Sequence, residues 1–517
     1  MGGRMSQQKL QNLAVTAPAF FGINTEESPV GMNPNYADIA DNCVIDKQGR
    51  IGAREGYIAV STNGAAVLGT SRGIESIFEF TAFDGTVTVF SAGNNKIFTG
   101  TTTLTEVDLP LDYSISANNW KIVSLNNRVY FCQSGHAPLV TEVGDFNDLE
   151  LAATGGTAVP SGNEALAAFG RLWVADIVGD KHTVYWSDLL NGDDFRVVDT
   201  SAGSLDLTTV WPTGYDEIVS LAEHNGFLII FGKRSIVVYK GAEAITTAGA
   251  FSLHDTIEGA GCIERDSVQA TGNDMLFLSD RGLMSLGRII QEKSLPLRDV
   301  SANVRTDLIT AVKAEILPIH SHYSAFDALY LITLPTTGTT YCFDVRTPLE
   351  NGSFRATTWS GMNPVSFTNI AADSFYIGLE GGLAKYGGYL DGTATYKMSY
   401  FSNPIDWGNT SNLKFLKKFN VTVIGGVDTS YTLSWGYDYS GSYNQQVFSF
   451  LAASTAQFNI SEYNTSAIYS GGVFVNKGSV HTGGSGVSAS VGVESTINGN
   501  PFSIQTIDIH ALLGRLI

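Results

Sequence analysis

A few residues in this chain have types and spacings that could do chemistry. Gly69-Thr70-Ser71-Arg72-Gly73 matches the GxSxG pattern of a nucleophile elbow. That motif needs a strand before the serine and a helix after it. The next residues, Ile74-Glu75-Ser76-Ile77-Phe78-Glu79-Phe80, alternate as a strand does, so an ordinary turn is expected. His320 and His322 stand two apart and would share one side of a strand, but no HExxH or paired cysteines supply further zinc ligands. Tyr185-Trp186-Ser187-Asp188 followed by Gly192-Asp193-Asp194-Phe195 matches in part the Asp-box turn of sugar-cleaving propellers, and it does not recur. No GxxxxGK[ST] phosphate loop is present. Cys43, Cys132, Cys262 and Cys342 are widely spaced and read as reduced, buried thiols. The expectation is a protein that is not an enzyme, with no cofactor and no metal.

The elements that would position these residues are short strands. An apolar strand, a Gly/Asn/Asp turn and a second apolar strand recur, as in Thr86–Phe98, Phe227–Tyr239 and Ser374–Tyr386. Anchors at Val87, Val129, Leu172, Leu228, Leu276, Leu329 and Phe375 lie 42, 43, 56, 48, 53 and 46 residues apart. A loose period of about 40–50 residues with several strands per unit predicts a β-propeller, here of six or seven blades, with a sandwich array as the structural alternative. Turns such as Gly93-Asn94-Asn95 reach the positive φ that tight hairpins need. One segment departs from this pattern. Val300, Val304, Leu308, Val312 and Ile316 recur every four residues, which predicts a helical insertion over 299–316 capped by Asp299 or Ser301.

The ends differ from the middle. Residues 1–60 show no blade pattern, and from Asn403 the period is lost while alternation continues at Phe419, Val421 and Val423, and at Ile507 and Ile509. The fold class expected is all-β. A propeller over 61–402, with its helical insertion, carries a β-rich platform built from the N-terminal segment 1–60 and a C-terminal sheet or sandwich over 403–517. Gly471–Gly492, rich in Gly, Ser and Val, reads as a loop or as two strands of small residues.

Composition bounds the function. The chain has 517 residues, 44% of them apolar and only 16% charged, with 55 glycines and 28 phenylalanines. That suits a large packed β protein rather than a disordered one. The net charge of −19 opposes tight nucleic-acid binding, which needs clustered cations. No membrane-length apolar run and no apolar signal segment are seen in the sequence. Lys414, Lys417 and Lys418 form a small basic cluster, read as a solvated strand edge or as a contact for an acidic neighbour.

Two stretches carry a family resemblance. Phe20–Tyr57 holds Gly22-Ile23-Asn24-Thr25, Pro34, Asp41-Asn42 and Arg54-Glu55-Gly56-Tyr57. Val184–Thr256 holds YWSDLLNGDDF, then FLIIFGKRSIVVYKG, then Thr246-Thr247-Ala248-Gly249-Ala250. In this order they resemble the tail nozzle or hub proteins of short-tailed, podovirus-type bacteriophages, over most of 20–400. The resemblance implies a structural virion protein that forms a homo-hexameric ring below the portal and its adaptor. Genomic DNA passes through the lumen without tight binding, and tail fibres or spikes dock outside. It implies assembly in the bacterial cytoplasm, a place in the virion tail and no membrane insertion. A ring also needs self-closing contacts. Phe20, Phe21, Lys414, Lys417, Lys418 and the Leu512-Leu513 pair are the residues expected to supply them. The alternative function is a sugar-binding or sugar-cleaving propeller of a virion adhesin.

Overall fold

The computed structural model describes residues 10–516 except 70–72, 116–118, 143–144, 213, 247–249, 273, 293–298, 372–373, 427–428, 439 and 451–472. The architecture is all-β. Most strands belong to antiparallel meanders that succeed one another along the chain. The first meander runs through Ser76–Thr81, Val87–Gly93, Lys96–Thr99 and Thr105–Glu106. The second, third and fourth begin at Lys121–Leu125, Gly162–Ala168 and Ile218–His224, each with four strands. The fifth has three strands and starts at Gln269–Ala270. The sixth and seventh start at His320–Ser324 and Ser366–Ile370.

Each periodic anchor of the sequence falls on the second strand of successive meanders, and all but Val87 are buried. Periodicity found these strands because a second strand is covered on both faces and therefore reads as a continuous apolar run. The turn at Asn94 and Asn95 has φ of 52° and 58°, as its sequence predicts. First strands touch in series. Ser76–Thr81 meets Lys121–Leu125, then Gly162–Ala168, then Ile218–His224. The series continues through the turn Arg265–Ser267 and His320–Ser324 to Ser366–Ile370, which returns to Ser76–Thr81. The seventh meander takes its outer strand from the other end of the sequence: Tyr57–Ala59 pairs with Gly382–Tyr386, Tyr57 opposite Tyr386. Neighbouring meanders pack through apolar layers, such as Trp173, Trp186 and Phe251 with ring centroids 5.4–6.0 Å apart.

The helical insertion is shorter than its apolar stripe. The α-helix spans Arg305–Ala314 after a 3₁₀ turn at Ala302–Val304. Val300, Val304, Leu308 and Val312 are buried, but Ile316 lies beyond the helix end and is exposed. Neither Asp299 nor Ser301 caps it. The Ser301 hydroxyl accepts from the Leu283 N–H at 2.9 Å, and Asp299 pairs with Arg305. The first turn is held from afar, because the Glu26 carboxylate accepts from the Thr306 N–H and hydroxyl. A second helix, Leu286–Glu292, packs on the strands of the fifth meander.

Strands from both ends of the chain share two sheets. One orders Val473–His481, Asn412–Gly426, Phe502–Leu516, Ile51–Ala53 and Cys43–Ile45, with Leu10–Thr16 also paired to Phe502–Leu516. The other extends the sixth meander through Gly22–Ile23, Tyr36–Asp41, Tyr396–Ser402, Ala489–Ile497 and Ser430–Tyr437 to Asn444–Ser449. Their facing side chains, among them Phe419, Val421, Tyr431, Val493 and Ile507, form one buried cluster. Residues within Gly471–Gly492 thus build strands. By strand pairing, Tyr396–Ser402 goes with the terminal strands and Tyr57–Ala59 with the meanders, so the sheets divide differently from cuts at 60 and 402.

Candidate functional site

Residues of the first stretch that carries the resemblance, between Gly22 and Tyr57, tie the N-terminal segment to the sixth meander and to the segment that follows the seventh. Gly22 sits at φ 79°, and a Cβ there would lie 2.3 Å from the Ala356 carbonyl oxygen, so only glycine lets the strand Gly22–Ile23 approach the sixth meander. The Asn24 side chain accepts from the backbone N–H of Glu26 and Glu27 at 3.1 and 3.2 Å, and Thr25 donates to Asn303 O at 2.9 Å. Asn42 donates its amide to Lys397 O at 2.9 Å and accepts from Arg54 Nε at 2.8 Å. Arg54 is fully buried; two of its nitrogens each lie 2.8 Å from the Asp391 carboxylate, a bidentate fork. Its guanidinium stacks 4.2 Å above the Tyr396 ring. Burial opposes its charge, but Asp391 more than offsets this and leaves the group above its ordinary value. A Cβ on Gly56 would lie 1.9 Å from Leu390 O, and Tyr57 donates to that same oxygen at 2.9 Å. The joint therefore locks the segment entering the seventh meander onto the segment leaving it.

A second buried cluster lies where the first strands meet. Arg265 donates to Asn163 O at 2.5 Å, Trp120 O at 3.1 Å and the Asp266 carboxylate at 2.7 Å. Lys121 Nζ lies 3.4 Å from Glu164 and 3.7 Å from Asp266, while His320 Nδ1 is 4.0 Å from Asp266. Leu221 N–H completes the set by donating to Glu164 at 3.1 Å. The second to sixth meanders thus each place a group in one network. Burial pushes the Glu164 carboxyl up in spite of Lys121 and Arg265. For Asp266 burial is outweighed by Arg265, Lys121 and His320, and its carboxyl is held well below the usual range. Burial lowers His320, against the pull of Asp266. Beside the network, burial and Asp266 push the Glu264 carboxyl up to about 7. An arrangement of this kind ties strands together; it offers no activated nucleophile.

The remaining sequence candidates disperse. Thr70, Ser71 and Arg72 lie outside the described residues, as do Thr247, Ala248 and Gly249; the strand expected after the serine is present as Ser76–Thr81. His322 stacks 4.8 Å from Phe375, and burial lowers it to about 4. Asp188 accepts from the Ser201 N–H at 2.9 Å and serves as a loop anchor. The four thiols are free and buried, with Cys132 and Cys262 pushed up to about 12 by burial, well away from reactive thiolates. Among the described residues no group of three or more His, Cys, Asp or Glu is placed to hold a metal, and no helix is long and apolar enough to cross a membrane.

Two expected interface residues are turned inward. Phe20 is fully buried and meets Tyr400 edge-on at 5.8 Å; Phe21 is half-buried against Tyr36. Lys414 is buried and donates to Asn409 O. Lys417 is exposed and Lys418 partly so, on a strand paired on both sides, so the cluster is not a strand edge. Alternation explains Lys414, which points inward with Leu416 along its strand; Phe20 precedes the strand Gly22–Ile23 and is buried as an apolar ring.

No protein-family model and no curated protein matches the chain. Among solved structures it overlaps the WD40 domain of Toxoplasma gondii coronin at 10% identity and TM-score 0.36, covering 67% of this chain and 87% of that one. Hsv2p of Kluyveromyces lactis overlaps at 10% identity and TM-score 0.29, over 53% and 80%. PorZ of Porphyromonas gingivalis, a bacterial surface component of the type-IX secretion system, overlaps at 10% and 0.34, over 61% and 37%.

Proposed function

We propose that this chain is a structural virion protein, the tail nozzle or hub of a short-tailed phage. In this reading the seven meanders are the blades of a propeller closed by Tyr57–Ala59, and the two sheets of terminal strands are a platform. Six copies form a ring beneath the portal and adaptor, and DNA is ejected through the lumen into the host. The observation that carries the proposal is the buried joint: Gly22, Asn42, Arg54, Gly56 and Tyr57, all from the first stretch of the resemblance, fasten the N-terminal segment to the meanders. A joint of that kind makes one stiff block of the sort a ring needs. The charged network ties the first strands together, and in this reading the DNA path runs between copies rather than through one chain. A net charge of −19 suits a wall past which a polyanion slides.

The test is the native mass of the purified chain, alone and mixed with the adaptor of the same phage. A hexamer in either sample is the expected result. A chain that stays monomeric and fails to engage the adaptor removes the proposal.

A further inference from the structure

The surface carries a complementary pair of features set far apart. The first is a shallow apolar cavity of about 280 Å³ floored by Pro29, Val30, Pro404 and Val487. Two carboxylates rim it: Asp406, which accepts from Gly408 N–H at 2.8 Å, and Asp438, which accepts from Ser488 N–H at 3.1 Å. Val30 is 54% exposed. The second is a knob. Phe326 is 71% exposed at a hairpin turn, and Lys47 Nζ sits 4.0 Å above its ring. Asp327, next in sequence, faces Lys47 and Arg346. An aromatic ring beneath an ammonium is the chemistry that an acid-rimmed apolar cavity accepts.

The two cannot meet within one chain. Lys414 is bonded through its backbone to Gly486, beside the cavity, at the start of the strand Asn412–Gly426. Ile424, near the other end of that strand, lines a cleft with Lys47 and Asp327. Lys414 and Ile424 stand ten residues apart on that strand, which at about 3.3 Å each sets the features roughly 33 Å apart.

We infer that the Phe326–Lys47 knob of one copy seats in the Val30 cavity of the next, a head-to-tail contact between copies of this chain. Different patches meet in such a contact, so it propagates until rotation closes it into a ring. The contact deepens the nozzle reading and rests on it only for closure into a ring.

The experiment uses full-length Phe326→Asp and Val30→Asp variants, with Phe326→Ala as a milder second choice. Both sites are exposed, so melting temperatures should match the parent chain. Sedimentation should show the parent as an oligomer and each variant as a monomer, associating about 30-fold more weakly or worse. Mixed together, the two aspartate variants should form a dimer with one copy of each, because each keeps the half that the other lacks. A parent chain that is monomeric at its highest soluble concentration, variants that assemble like the parent, or a mixture that stays monomeric would each overturn the inference. Variants that still form rings leave the nozzle reading intact while removing this surface. Head-to-tail oligomers that never close and ignore the adaptor do the reverse.

Discussion

The ring of meanders and the sheets of terminal strands solve the same problem by opposite routes. In the meanders nearly every strand pairs with its neighbour in sequence, as Phe227–Gly232 does with Ser235–Lys240. In the terminal sheets Leu10 lies opposite Leu512, and Ala40 opposite Tyr400. Each region is then fastened by one buried arginine. Arg265 ties strands that succeed one another, and Arg54 ties residues 337 apart in sequence to Asp391. Local pairing forms early and cheaply, whereas pairing across the whole chain carries loop-closure cost and needs a strong fastener.

The comparison is broken most severely at the two arginines. Arg265→Met leaves Lys121, among the described residues, as the one lysine or arginine pairing Glu164 and Asp266 in the interior and should cost about 4 kcal/mol of stability, read as a shift in the urea midpoint. Arg54→Met strands one carboxylate, Asp391, and should cost about 3 kcal/mol. The two sites share no hydrogen-bond partner, so the double variant should show additive losses. Gly56→Ala comes next. It drives a methyl into the Leu390 carbonyl and should cost about 2 kcal/mol, with the terminal strands losing hydrogen-exchange protection before the meanders do.

A pH titration sharpens the contrast further. Glu264 is raised from 4.5 to about 7, mainly by burial and next by Asp266, with Glu315 adding to it and Arg265 opposing. The folded state then binds more protons than the unfolded state between those values, so this group lowers stability as pH rises from about 4.5 to 7. Glu264→Gln should remove that slope and be more stable than the parent at pH 8. Asp266 works in the other direction. Its depressed carboxyl contributes stability above the ordinary aspartate range, lost only as acid protonates it in the fold. The smallest expected effect is at the junction helix: Glu26→Ala uncaps Thr306 and should cost about 1 kcal/mol.

Legibility in the sequence divides along the same line. The seven anchors found the second strands because local pairing leaves a local pattern. Tyr57–Ala59 was invisible, because three residues show no period and their partner lies more than 300 positions away. The charged network was missed for a related reason. Glu264-Arg265-Asp266 reads as a polar turn, and only the ring brings Lys121 and Glu164 to it. Arg54 was visible as part of a motif, but not as a buried ion pair. Lys414 is not legible as a buried residue because polarity does not say which side of a strand faces the core.

The most direct test is an electron-microscopy map of the assembled protein. Six copies are expected around a lumen wide enough for duplex DNA, walled by acidic or neutral surface, with the first strands of each meander ring tied together by Arg265 and its partners. A continuous basic lining, or a DNA path through the middle of a single chain's meanders, would contradict it.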